Sequence, residues 1–351
     1  MALIQSAIKW EQACDNIPRN AKIIDLLSME ASHGEPETSS ISFPKKSTPS
    51  VPSGFKCVEC LCFTGQDDEL IIGGLHEQFG EGLAILSSGS SDHGLADENF
   101  FRHTSAIPTV CKLVGDCLVA GTEHGGLMAW DWKSGQERWT IPRAFHHLIC
   151  AISPSVDGKM ILACDGQQSA KLFTESSTKA RSHYSMPDLT FYDVAWISDM
   201  KQFACGHDKG FFTLWNVDEL KPFKQVKIPL AEAQLAPPAV AKILPMPALE
   251  AILLLTNSST ATIYCIKQDR FLGELSIPES VPGEFVAAIV RSKYIACLTN
   301  SGKVLSFSTE APFVLISTVD VSVNEPYAFA MHTARNSAVV VDVDGNISMW
   351  T

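Results

Sequence analysis

The chain lacks a long apolar run. A membrane helix needs roughly 18 to 20 apolar residues, and the nearest candidate, Ala248–Thr256, is nine residues long and contains Glu250. The N-terminal MALIQSAIKWEQ lacks a basic region ahead of a continuous apolar stretch, which reads against a secretory signal. Positive charge is also short: 27 Lys and Arg stand against 39 Asp and Glu, for a net charge of −12. Residues 1–56 hold six of each sign, so the other 295 residues carry the whole excess. An acidic body of this kind argues against a nucleic-acid binder that works by neutralising phosphates. Charged residues make up only 19% of the 351, whereas 46% are hydrophobic, which excludes a mostly disordered chain.

Signatures of chemistry are missing too. Ser, His and Asp are abundant, but no Gly-x-Ser-x-Gly elbow occurs. Gly73–Gly74, Gly80-Glu81-Gly82 and Gly125–Gly126 suggest phosphate loops, yet none is followed by Lys-Ser/Thr or by the start of a helix. Hairpin turns account for them better. Cys57-x-x-Cys60-x-Cys62 has metal-like spacing, but no second pair of ligands follows, and on a strand positions 57 and 60 face opposite sides. The 11 cysteines are odd in number and scattered; Cys111, Cys150, Cys164, Cys205, Cys265 and Cys297 sit in apolar strand-like runs. They read as reduced, buried thiols of an intracellular protein, cytoplasmic or nuclear. Lys45–Lys46 is too short for a polyanion patch. The sequence therefore points to a non-enzyme with no cofactor and no metal.

What is present is a repeat. Residues 32–54 are an extended segment in which 15 of 23 are Ser, Thr, Pro or Gly. From Phe55 onward, short β-rich runs alternate with turn residues and no helical period appears. A short strand ends in an aromatic at Trp130, Phe173, Trp215, Tyr264, Phe307 and Trp350, at intervals of 43, 42, 49, 43 and 43 residues. Leu86, 44 residues before Trp130, is a degenerate seventh member. Five residues before the aromatic stands Gly125, Gly210, Gly302 or Gly345, suited to the positive φ of a hairpin turn, with Gln168 and Ser259 in the other two units. An apolar strand precedes each turn: CLVAG, MILAC, QFACG, AILLL, YIACL and AVVVD. A further strand follows each aromatic and tends to end in Pro, at Pro108, Pro142, Pro187, Pro229, Pro278 and Pro326; proline belongs at strand ends and edges, so these mark outer strands.

A period in the low forties, four strands per unit and a third strand ending in Trp130–Asp131 resemble the WD-repeat β-propellers. Trp215–Asn216 is a near miss; the Gly-His dipeptide is missing, with His146–His147 the nearest substitute, and the turn Asp matches at Asp208 and Asp344 only. The resemblance implies an all-β, seven-bladed propeller of four-stranded blades over residues 37–351, with its side-chain hydrogen-bond network mostly absent. It also implies closure by an N-terminal strand, TSSISFP ending at Pro44, added to the last blade. Residues 1–36 form an arm; Ile4, Ile8, Trp10, Ile23, Ile24, Leu26 and Leu27 suggest that it docks on the disc or a partner, with a short helix at 2–12.

The loops between second and third strands fall on one face, at 75–81, 122–125, 165–168, 207–209, 257–259, 300–302 and 342–345. They carry Glu77, Glu81, Glu123, Asp165, Asp208, Asp342 and Asp344 against a single lysine, Lys209. The face should be negative whatever reason each residue has for being there. The expected partner-binding residues are Glu77, Glu123, His124, His207 and Asp208, together with Trp10 and a partly exposed Trp132, for which packing across the blade edge is the alternative. The expected function is a non-catalytic interaction scaffold in a hetero-oligomeric protein complex, with protein partners that include a basic segment and with no nucleic acid or membrane. The alternative is a peptide-reading module that takes one short basic segment on the acidic face.

Overall fold

The computed structural model describes residues 54–63, 69–87, 101–155, 159–174, 177–197, 201–229, 237–256, 258–321, 323, 325–331, 338–344 and 346–350. The N-terminal arm, Trp10, the TSSISFP strand and Gly345 lie outside them. The described residues form seven antiparallel sheets in a ring, a seven-bladed β-propeller. Blade I holds β1 (Phe55–Phe63), β2 (Glu69–His76), β3 (Gly80–Ser87) and β4 (Phe101–His103). Blade II holds β5 (Pro108–Val114), β6 (Cys117–Thr122), β7 (Leu127–Asp131) and β8 (Glu137–Ile141). Blade III holds β9 (Ala151–Pro154), β10 (Met160–Cys164), β11 (Ser169–Thr174) and β12 (Ser177–Ser185). Blade IV holds β13 (Phe191–Trp196), β14 (Gln202–His207), β15 (Phe211–Asn216) and β16 (Lys224–Lys227). Blade V holds β17 (Val240–Met246), β18 (Ala251–Thr256), β19 (Thr260–Cys265) and β20 (Arg270–Ser276). Blade VI holds β21 (Phe285–Val290), β22 (Tyr294–Thr299), β23 (Lys303–Ser308) and β24 (Leu315–Asp320). Blade VII shows three strands among the described residues, β25 (Pro326–Met331), β26 (Ala338–Asp342) and β27 (Ile347–Trp350).

Each blade runs outward in chain order, and the innermost strand of each packs against that of the next around the ring, with β25 meeting β1. The second strands lie between neighbouring blades and are apolar on both faces: CLVAGT and AILLLT are buried throughout. Outer strands alternate, as in KQVK of β16 and LISTVD of β24, because one face meets water. The apolar core is divided among the seams. One cluster joins blades I and II and draws in Ala330, Val339, Val341 and Ile347 of blade VII, which closes the ring by packing. Others join II to III, III to IV, IV to V, V to VI and VI to VII. Trp130, Phe173, Trp215, Tyr264 and Phe307 are all buried wedges in these seams. Trp215 stacks on Phe203 at 6.0 Å and meets Tyr184 of blade III edge-on at 5.5 Å, while the Tyr184 hydroxyl donates to the Val217 carbonyl at 2.6 Å.

Two proline assignments differ from the sequence expectation. Pro142, Pro187, Pro229 and Pro278 do follow outer strands, but Pro108 and Pro326 begin innermost strands β5 and β25. A first strand residue can also dispense with an N–H donor, so both positions suit proline.

Candidate interaction face

A polar residue stands at the head of the turn between second and third strands in every blade. The second strand ends in, or is followed by, a polar residue: His76, Thr122, Asp165, His207, Thr256, Thr299 or Asp342. In blades II to VII this residue stands eight positions before the aromatic of the third strand, a register that the sequence reading missed although it is visible there. In blades I, II, III, VI and VII its side chain accepts an amide of the turn, and in blade V Thr256 donates to the Thr260 carbonyl at 3.1 Å. The His76 Nδ1 accepts from the Gln78 and Phe79 amides at 3.2 Å each. Thr122 Oγ1 accepts from Gly126 at 2.9 Å, Asp165 from Gln167 at 3.1 Å, Thr299 from Lys303 at 3.1 Å and Asp342 from Asn346 at 2.8 Å. The turn glycines take the expected conformation, with φ of 77° at Gly125, 73° at Gly210 and 72° at Gly302.

The same turns are tied to the loops beside them. Backbone amides of Glu77, Glu123, Asp208, Asn300 and Val343 donate to carbonyls of Gly54, Ile107, Thr190, Glu284 and Glu325, each just before or near the start of an innermost strand. Ile149 donates to Thr122 and Phe191 to Gln167, which links one blade's turn to the next blade. A bulge follows at the start of the innermost strand in six blades, between Phe55 and Cys57, Pro108 and Val110, Phe191 and Asp193, Val240 and Lys242, Phe285 and Ala287, and Pro326 and Ala328. Bulges re-aim a side chain and end regular pairing. In blade IV the skipped residue is Tyr192, 38% exposed.

Of the expected binding residues, Glu77 and His124 are exposed, and Glu123 and Asp208 are half-buried. Asp208 has a structural task as well, because its Oδ1 accepts the Thr190 amide at 3.1 Å. His207 is corrected: it is 0% exposed and does not reach the surface. Its Nδ1 lies 3.2 Å from the Thr190 carbonyl and its Nε2 lies 2.6 Å from Thr213 Oγ1, which also accepts the Trp215 indole N–H at 2.7 Å. Blade IV thus keeps a side-chain relay, where the sequence reading expected such networks to be mostly absent. Burial pushes the His207 imidazole down to about 4, against smaller upward pulls from the Thr190 carbonyl and Asp208. Trp132 is corrected likewise: at 6% exposed it packs across the blade edge, and its carbonyl faces the Arg102 guanidinium of blade I at 3.4 Å. The single Trp-Asp pair has a structural use too. Asp131 accepts the Ser134 amide at 2.9 Å and pairs with Arg138 at 3.3 Å, and that amide bond, more than any other contact, holds its carboxyl below the usual range.

The loops leading into innermost strands add exposed carboxylates that the sequence reading did not count, namely Asp188, Glu279, Glu284 and Glu325, beside Asp344. Among the described residues of these loops and turns, the permanent cations are Arg143 and Lys209, and the Lys209 ammonium donates to the Asp188 carbonyl at 2.7 Å. Lys56 and Lys242 stand on the innermost strands, Lys242 lying 3.8 Å from buried Asp193. Three large apolar side chains break the polar surface: Leu148 at 46%, Tyr192 at 38% and Val343 at 57% exposed. No periodic signal marks them, since each lies outside the core pattern. Among the described residues, no group of three or more His, Cys, Asp or Glu is placed to hold a metal ion, and no helix is long and apolar enough to cross a membrane.

No family model matches the chain, and no curated protein matches it. Among solved structures, it is similar to a chain in the crystal structure of a mitotic checkpoint complex, with a TM-score of 0.70 at 11% identity, over 92% of this chain and 99% of that one. The likeness is one of fold: a β-propeller of matching size that serves, in that case, in a multi-protein complex.

Proposed function

We propose that this protein is a non-catalytic, WD-repeat-like interaction scaffold, a subunit of an intracellular protein assembly, which engages a partner's basic segment on the face of second-to-third-strand turns. The observation that carries this reading is the make-up of that face. Exposed carboxylates at Glu77, Glu284, Glu325 and Asp344 share that face with exposed apolar side chains at Leu148, Tyr192 and Val343. A surface that mixes apolar side chains with charged ones suits a protein partner. The turns that present them are tied by hydrogen bonds to their own and neighbouring blades, so little ordering cost remains for binding.

Purification of the full chain from its native source, with mass measurement in solution and mass spectrometry of co-eluting proteins, tests the scaffold reading. A stoichiometric complex that survives moderate salt supports it. A lone monomer that binds only short basic peptides overturns it in favour of a peptide-reading module.

A further inference from the structure

Ten cysteines fall within the described residues, and two groups of them are in contact: Cys111 with Cys60 and Cys62, and Cys150 with Cys164. Cys62 and Cys111 lie 3.7 Å apart, both sealed in the core between blades I and II. Cys150 and Cys164 are closer, at 3.4 Å, and unlike each other. Cys164 closes β10 and is fully buried, whereas Cys150, just ahead of β9, is half-buried at the interaction face. The Cys150 amide donates to the Cys164 carbonyl at 3.0 Å, which fixes the two residues side by side. The Cys150 sulfur also reaches across the seam to blade IV, 3.3 Å from the Tyr192 carbonyl.

We propose that Cys150 and Cys164 form a peroxide-responsive thiol pair, in which Cys150 is the attacking sulfur and Cys164 the resolving one. In the first step the Cys150 thiolate attacks one oxygen of hydrogen peroxide. The S–O bond forms, the O–O bond breaks, and hydroxide leaves and takes up a proton as water. In the second step Cys164 attacks the sulfur of the Cys150 sulfenic acid. The S–S bond forms, the S–O bond breaks, and the hydroxyl leaves as water with the Cys164 proton. Two thiols lose two electrons, and one hydrogen peroxide becomes two waters.

The division of labour follows from the surroundings. The hydrogen bond with Cys164, opposed by burial and by Asp193 and helped by Lys242, draws the Cys150 thiol below its usual range, while burial pushes Cys164 well above it. The thiolate is the nucleophile, and only Cys150 combines that tendency with access. A disulfide needs the sulfurs about 2 Å apart, and its formation removes the thiol proton that Cys150 offers to the Tyr192 backbone carbonyl across the seam.

The test uses the reduced full chain, graded hydrogen peroxide and peptide mapping without reductant. Trypsin cuts after Lys159 and so separates the two cysteines. The expected product is a cross-link between the Cys150 and Cys164 peptides, formed about tenfold or more faster than any link between Cys62 and Cys111. In Cys164→Ser, the sulfenic acid at Cys150 should persist and be trapped by dimedone. Should that variant fail to fold, alkylation of the native chain serves instead: peroxide should protect Cys150 from iodoacetamide, and dithiothreitol should restore its reactivity. Unprotected Cys150, or a Cys62–Cys111 link appearing first, overturns the assignment.

Discussion

Thr213 holds its hydroxyl oxygen 2.6 Å from Nε2 of His207, two strands joined through one buried hydrogen bond. The directions around it are fixed. The Thr190 carbonyl can only accept, so Nδ1 of the neutral ring carries the hydrogen and donates to it. Nε2 is then bare and accepts from Thr213, whose oxygen in turn accepts the Trp215 indole N–H. Blade IV is therefore stitched from third strand to second strand to the loop that enters it, with a neutral imidazole in the middle.

That neutrality predicts acid sensitivity. His207 is pushed down to about 4 in the folded protein from an ordinary 6.5. The unfolded chain takes up a proton on this residue within that window and the folded chain does not. Its stability is therefore undiminished above pH 6.5 and is lost as pH falls towards 4. The full loss is on the order of 3 kcal/mol. Urea midpoints near neutral pH and in mild acid should separate further for the native chain than for His207→Gln, whose side chain does not titrate. Equal acid sensitivity of the two would sink the relay.

Thr213→Val keeps the shape of the side chain and removes the hydroxyl. The Trp215 N–H and the His207 ring then both lose a partner in the core, at a cost of roughly 2–4 kcal/mol. Denaturant unfolding measures this directly, and a change below about 0.5 kcal/mol would show that the hydroxyl is dispensable.

Two glycines with left-handed backbone should respond differently to alanine. A Cβ at Gly80 meets nothing within 4 Å, whereas one at Gly125 would stand 2.3 Å from the Phe145 carbonyl oxygen. Gly80→Ala should cost only the conformational penalty, about 1–2 kcal/mol. Gly125→Ala should cost clearly more, because the loop into blade III has to shift. Thermal melting of both variants side by side checks the order.

Charge reversal tests the face. Glu77, Glu123 and Asp344 can be changed to Lys together; Asp208 is left alone because it accepts the Thr190 amide. Association with the native partner should slow by about tenfold or more at low salt, with a much smaller change in dissociation. Raising the ionic strength should narrow the difference, since exposed charges are screened beyond about 8–10 Å. Binding indifferent to both would move the contact to another surface.

The propeller was legible because its wedges are large and apolar. Trp130, Phe173, Trp215, Tyr264 and Phe307 recur where a seam between blades has to be filled, and large aromatic side chains fill it. Pro108 and Pro326 misled because proline marks a missing donor, which the first residue of an inner strand and the end of an outer one share. His207 reads as a surface residue, and Trp132 leaves exposure and packing across the blade edge both open, because the partners that decide their burial, Thr190, Thr213 and Arg102, are distant in the chain or on another strand. The ring of turn-holding residues could have been read from its spacing to the aromatics. Its varied chemistry (Thr, His and Asp) hid it, since hydrogen-bonding capacity is what recurs there. Leu148, Tyr192 and Val343 carry no period, because nothing in the packing of the ring requires them.

Every apolar cluster among the described residues draws on at least two blades. A blade is thus a half-built object whose flanks are completed by its neighbours, and removing one lays bare two oily walls at once. Such a circle can grow or shrink only by whole wedges, and its interior resists piecemeal change. The turn tips are pinned instead by backbone hydrogen bonds, which ask little of side-chain identity, so their exposed side chains can change without opening a seam.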